Sequence, residues 1–131
     1  MIDAERALLG SVLVDSSRFG IVVGSLRSDH FTLPARAVFL AMKALSEKGH
    51  DIELIGLKNA LVASGTLEAA GGLLAVAGMV DGLPKVSTDT LRGWVETVRE
   101  AGRRRRIVRE ARSLAESAED VARLGGTVLV V

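Results

Sequence analysis

Apolar residues recur along this chain at intervals of three and four, the spacing of one helix face. Ala4, Leu8, Leu9, Val12 and Leu13 form the first stripe, with Asp3 as the expected N-cap and Asp15-Ser16-Ser17 closing the helix. A second short helix is predicted from Arg18 to Leu26, where Phe19, Val22, Val23 and Leu26 share a face ahead of Ser28-Asp29-His30. Pro34 then occupies an N1 position, Ala35 to Lys48 carries Val38, Phe39, Met42 and Leu45 on one side, and Gly49 supplies the C′ stop. A further helix runs from about Leu54 to Ser64 with Leu57, Leu61 and Val62, ended by Gly65. Asp51 to Ile55 alternates like a short strand, but a lone strand without a partner run is not expected to form.

The segment from Gly71 to Val80 is apolar nearly all round and predicts a buried central helix, broken by Gly82-Leu83-Pro84. Ser87 or Thr88 then caps a long helix from about Asp89 to beyond Ala115, with Leu91, Trp94, Val95, Val98, Ile107, Val108 and Leu114 as its apolar positions. That helix is too long for a compact head to cover. The expected fold is all-α: a multi-helix head over 3–86, a long helix or partial hairpin over 87–124, and an atypical tail over 125–131. Gly125-Gly126 ends the helix, and the apolar Thr127-Val128-Leu129-Val130-Val131 reads as the mark of a truncated or frame-altered product. The alternative is a small terminal strand or a hydrophobic tail packed on the core.

A chain of 131 residues forms one domain, which at this size buries roughly 65–70% of its unfolded surface. Aromatics are only 3% and Tyr is absent, so Leu, Val and Ala fill the interior, as suits closely packed helices. The absence of Cys excludes disulfides and thiolate metal sites and fits a reducing cytosol. A net charge of +1 gives no overall bias toward nucleic acid. The start Met1-Ile2-Asp3-Ala4-Glu5-Arg6 lacks the basic and apolar regions of a secretory signal. No run approaches the ~18 apolar residues of a membrane span, and a cytoplasmic location is expected.

Catalytic constellations are missing from the sequence. The glycines at 71, 72 and 78 lack the downstream Lys-Ser/Thr of a phosphate loop, so neither a nucleotide cofactor nor ATP hydrolysis is expected of this chain. His30 and His50 have no metal-ligand spacing with each other or with Cys. Asp51 with Glu53 and Glu119 with Asp120 lie in solvated polar segments, and Ser11, Ser16 and Ser17 have no His-Asp set to activate them.

One charge feature stands out. From Arg99 to Arg112 there are seven Arg and two Glu, including the run Arg103-Arg104-Arg105-Arg106. Four consecutive helical residues span about 300° of azimuth, so the run does not face one way. Two readings stay open. Either it forms a patch for phosphate or an acidic partner, or it is a solvated helix balanced by Glu96, Glu100, Glu110 and Glu116 through pairs such as Glu96 with Arg99 and Arg106 with Glu110. No aromatic interleaves with the run, which disfavours a base-stacking platform. Trp94 reads either as core or as an interface anchor on the long helix.

The ordered set Ala4-Glu5-x-Ala7-Leu8-Leu9-Gly10, Asp29-His30-Phe31, Arg36-Ala37-Val38-Phe39-Leu40-Ala41-Met42, Ile52-Glu53-Leu54-Ile55-x-Leu57, Leu67-Glu68 with Gly71-Gly72, Leu83-Pro84 and Val98-Arg99-Glu100 resembles the amino-terminal domain of the bacterial replicative DNA helicase, the DnaB family, over roughly residues 3 to 115. The chain departs from the family pattern at Thr32, Ala35, Glu53, Ala75 and Trp94, which reduces partner-facing aromatics.

The resemblance implies a non-catalytic collar domain that helps a helicase assemble as a dimer or hexamer and docks the helicase-binding domain of primase. A helicase loader is a further possible partner, DNA contact is indirect or weak, and there is no membrane role. The RecA-like motor that normally follows is not in this sequence. Candidate interface residues are Trp94, Val98, Arg105, Arg106 and Ile107, the apolar ones supplying buried area and the arginines setting orientation. The rival readings are a small nucleic-acid-binding protein acting through Arg103 to Arg112, and a non-functional helicase remnant.

Overall fold

The computed structural model of the chain describes residues 1–123, and every regular element within them is helical. The first helix, α1 (Asp3–Val14), buries Leu8, Leu9 and Val12, the stripe that the sequence predicts. Its start is not capped by Asp3. Ile2 holds the N-cap position, and the Glu5 carboxylate reaches back to accept the Ile2 N–H at 2.9 Å. Glu5 is fully buried and also accepts the Thr32 N–H at 2.7 Å and the Thr32 hydroxyl at 2.6 Å. One carboxylate therefore ties the first turn of α1 to Thr32, 27 residues along the chain.

Asp15 caps a 3-10 turn over Ser16–Arg18 by accepting the Ser17 N–H and hydroxyl. Helix α2 (Phe19–Ser25) follows, burying Phe19 and Val22, with Leu26 buried just beyond it; Val23 faces solvent. A second 3-10 turn, Ser28–His30, leads to α3 (Leu33–Glu47), which carries Pro34 in its first turn. Arg36 on α3 folds back and donates to the Ser28 and Phe31 carbonyls at 3.1 and 3.2 Å, closing the turn that precedes it. Helix α3 ends as predicted: Gly49 adopts φ 74°, and the N–H groups of Gly49 and His50 return to Ser46 and Leu45.

No strand forms at 51–55. Glu53 instead caps α4 (Leu54–Ala63), its carboxylate accepting the Ile55 and Gly56 N–H groups. The three phenylalanines of the chain share one cluster, Phe39 lying 4.8 Å from Phe31 and 5.8 Å from Phe19 between ring centroids. Packing them together, Phe31 stacked on Phe39 and Phe19 tilted against it, places all three phenylalanines at the junction of α2 and α3.

The expected central helix over 71–80 is not there. Helix α5 covers only Leu73–Ala77, followed by a 3-10 turn at Gly78–Val80, and only Val76 and Met79 are buried. Gly71 and Gly72 sit at φ 101° and 87°, outside helical backbone, so the hydrophobic run starts two residues late. Leu74, apolar in sequence, is 88% exposed. The 78–80 turn crosses α1 at Gly10, where a side chain would run into the Met79 carbonyl.

The last described helix, α6 (Thr88–Arg123), begins at Ser87, whose hydroxyl accepts the Thr90 N–H at 3.2 Å. Leu91, Val95 and Val98 on it are buried against α1 and α2, so the hydrophobic core does not stop at residue 86. The loop before it is held by Arg18, which donates to the Val86 carbonyl at 2.7 Å. The Gly125-Gly126 stop and the apolar tail lie outside the described residues.

Candidate protein interaction surface

Helix α6 divides into a docked half and a projecting half. In the docked half, Leu91, Val95, Val98 and Gly102 are buried at spacings of four, three and four, a single seam on one face. At its end α6 approaches the Ser28–His30 turn so closely that a Cβ on Gly102 would lie 2.7 Å from the His30 Cα. Arginines fix the contact. Arg99 donates to the Ser25 carbonyl at 2.9 Å and Arg105 to the His30 carbonyl at 2.8 Å, so two helical segments of the head have their last carbonyls satisfied by cations from α6.

Beyond Arg105 the helix leaves the head and extends for about 25 Å at 1.5 Å per residue. Here Ile107, Leu114 and Val108 are 53%, 73% and 48% exposed. With Ala111, Ala118 and Val121 they make a second apolar stripe at spacings of four and three. Ile107 follows Val98 by nine residues, which is about two and a half turns. The second stripe thus faces away from the side on which the head sits. Among the described residues, the head brings no covering surface to it.

The five residues predicted as an interface separate accordingly. Val98 is fully buried in the head and offers nothing to a partner, because the docked seam needs it. Trp94 is half-buried against the core. Arg105 is committed to the His30 carbonyl, whereas Arg106 is exposed and pairs with Glu110 at 3.2 Å. Ile107 alone opens the outer stripe. Ala111 and Ala118 were not among the predicted contacts, since alanine is a weak apolar signal; the phase difference between the two stripes is what distinguishes them.

The four-arginine run fans out as its azimuth requires. Arg103 and Arg104 approach Glu100 at 3.8 and 3.4 Å, Arg105 turns to the head and Arg106 to Glu110, while Arg99 pairs with Glu96 at 2.6 Å. These exposed pairs are individually worth little. Among the described residues, no group of His and carboxylate side chains is arranged to hold a metal ion.

His30 senses the docked helix electrostatically. Burial pushes its pKa below the usual 6.5; Asp29 opposes the shift, and Arg27, Arg99 and Arg105 reinforce it. The neutral ring accepts the Arg27 N–H on Nδ1 at 2.8 Å. The unfolded chain therefore binds this proton more readily, so the His30 contribution to stability is complete above pH 6.5 and is lost as pH falls through the lower folded value. The melting temperature of the parent should drop relative to His30→Gln as pH is lowered from 7.5 to 5 in a circular dichroism series. A constant gap between the two proteins would remove His30 as the titrating group.

Comparison with known proteins bears on the whole of this architecture. The model for the DnaB-like helicase N-terminal domain matches residues 1–100. The chain is 30% identical over 129 residues to the replicative DNA helicase DnaB of Treponema pallidum, covering 98% of this chain and 29% of the relative. It is 28% identical over 120 residues to that of Buchnera aphidicola, covering 91% of this chain and 26% of the relative. The chain thus spans between a quarter and a third of these relatives' length. The N-terminal domain of DnaB helicase from Mycobacterium tuberculosis has the same fold, with a TM-score of 0.81, 21% identity and coverage of 92% of this chain and 85% of that one. A DnaB-like replicative helicase, solved to show its interactions with primase, superposes with a TM-score of 0.68 at 23% identity, covering 89% of this chain and 27% of that one. With the family model spanning most of the chain, this chain belongs to the DnaB-like helicase N-terminal domain family.

Proposed function

We propose that this chain is an assembly and docking domain for DNA replication, acting in the cytoplasm through protein contacts and performing no chemistry of its own. The observation that carries the reading is the outer apolar stripe of α6, Ile107, Leu114 and their alanine neighbours, presented on the side opposite the head. Apolar side chains at this exposure and regular spacing suit pairing with another helix. The charge along α6 favours an antiparallel mate, since Arg103 to Arg112 is basic whereas Glu116, Glu119 and Asp120 make the following stretch acidic.

Self-association through this stripe forms the collar, and the helicase-binding domain of a primase docks on the same projecting helix, with Trp94 and Arg106 at its base. The solved helicase with its primase interactions supports primase as the partner class. A loader is a further partner of the assembled collar, and DNA contact is secondary.

Light scattering across a concentration series, alone and with a primase helicase-binding domain, tests this reading. The expected result is a dimer or larger species. Removing the burial of two side chains, each worth about 1.5–3 kcal/mol, in Ile107→Asp/Leu114→Asp should weaken association by about a hundredfold or more. Because both positions are exposed in the monomer, the melting temperature should not change when parent and variant are compared at a concentration where the parent is monomeric. A strict monomer that binds no primase domain at any concentration would refute the proposal.

A further inference from the structure

Between α6 and the Ser28–His30 turn lies a groove of about 220 Å³ lined by Arg27, Asp29, His30, Arg99, Gly102, Arg103 and Arg106. Arg99, Arg103 and Arg106 stand at i, i+4 and i+7 on one face of α6, and Arg27 faces them from the head. Gly102 lets the two walls approach, so the four arginines line a single small volume.

Their existing partners leave most of their donors unused. A guanidinium has five N–H donors. Arg106 gives one to Glu110 through Nε, and Arg99 uses its two Nη atoms on Glu96 and Ser25. Among the described residues the side chains of Arg27 and Arg103 make no hydrogen bond, only loose approaches of 3.7 and 3.8 Å to Asp29 and Glu100. Asp29 is the one carboxylate that lines the groove; Glu96, Glu100 and Glu110 reach these arginines from outside it.

We infer that this groove binds a phosphate of a single-stranded nucleic acid. A phosphodiester spreads one negative charge over two tetrahedrally splayed oxygens, each able to accept from a different guanidinium fork of the converging set. The volume is below the roughly 300–1,000 Å³ of a site for a whole drug-sized ligand, which suits one phosphate and its linkages. No aromatic lines the groove, so bases are not stacked and no sequence preference is expected. The inference goes beyond the collar reading: a monomer that fails to assemble would still carry the groove.

The test is fluorescence anisotropy of a labelled oligothymidylate titrated with the chain at several salt concentrations. Arg27→Gln/Arg103→Gln should weaken binding about tenfold and lower the magnitude of the salt slope by about 0.7, the value for one lost phosphate contact on a single strand. Arg109→Gln/Arg112→Gln removes the same charge from exposed positions outside the groove and should change affinity less than twofold. The substituted side chains of the first pair are 70% and 69% exposed, so both doubles should keep the parent circular dichroism spectrum; single Arg103→Gln, with a smaller loss of affinity in the same direction, stands in if the double does not. Absence of oligonucleotide binding, equal losses in the two doubles, or displacement of the strand more readily by a nucleoside monophosphate or by polyglutamate than by unlabelled strand would overturn the inference.

Discussion

Glu5→Ala should destabilise the head by roughly 3–5 kcal/mol, the range for removing one member of a buried, charge-assisted hydrogen-bond set. Three donors converge on this carboxylate, the Ile2 N–H and the N–H and hydroxyl of Thr32, and the residue has no solvent exposure. Alanine leaves all three facing an apolar cavity where water has little access. Set against the 5–15 kcal/mol that typically stabilises a domain, the loss brings the head close to unfolding at room temperature. Glu5→Gln keeps the shape but turns an amide nitrogen toward donors, so it should cost about half as much. Urea unfolding monitored by circular dichroism gives the comparison, with a shifted midpoint and an unchanged slope as the signature. A midpoint for Glu5→Ala equal to that of the parent would show that the α1–α3 tie is dispensable.

Gly102→Val should cost about 2–3 kcal/mol and loosen α6 from the head. Replacing a helical glycine usually helps, by up to about 1 kcal/mol for alanine, because the unfolded chain loses freedom. At this position a Cβ would lie 2.7 Å from the His30 Cα and 2.8 Å from its carbonyl oxygen. These are backbone atoms, so relief requires the whole turn to move, and overpacking of that kind outweighs the helical gain. The displacement would also break the Arg105 bond to His30. Trp94, the only tryptophan, is half-buried on the docked half of α6 and should report the loosening as a red shift in emission. Gly93→Ala supplies the opposite sign on the same helix, since a Cβ there meets nothing within 4 Å and should raise the melting temperature. Equal effects at the two positions would mean that helix propensity alone governs α6.

The two variants probe the features least visible in the amino-acid pattern. Period-three and period-four spacing placed α1, α3, α4 and the long α6 without reference to any partner, because each carries a stripe wide enough to drive its own burial. Turn chemistry was legible at Gly49 after α3 and Ser87 before α6, but not at the start of α1, where Ile2 and Glu5 take the place expected of Asp3. The pattern misled at 71–80, where apolar content suggested one helix and backbone geometry at Gly71 and Gly72 allowed only five residues of it.

Membership in the DnaB-like family was likewise present in the order of short motifs, which the match over residues 1–100 confirms. Within the candidate surface, sequence alone identified the long helix and its arginines but counted Val98 with Ile107 as one interface. Those residues have the same hydrophobicity and differ only in azimuth, and azimuth acquires meaning once the position of the head is known.

Sequence by itself therefore determined the helical class, the family and the presence of a long last helix, since these follow from local spacing and chain-intrinsic preferences. Tertiary structure decided the rest: that Glu5 binds across 27 residues to Thr32, that Arg99 and Arg105 close distant carbonyls, and that Arg27 faces Arg103 across a groove. Each of those depends on which surfaces meet when the core closes, and no local pattern encodes the meeting of residues so far apart along the chain.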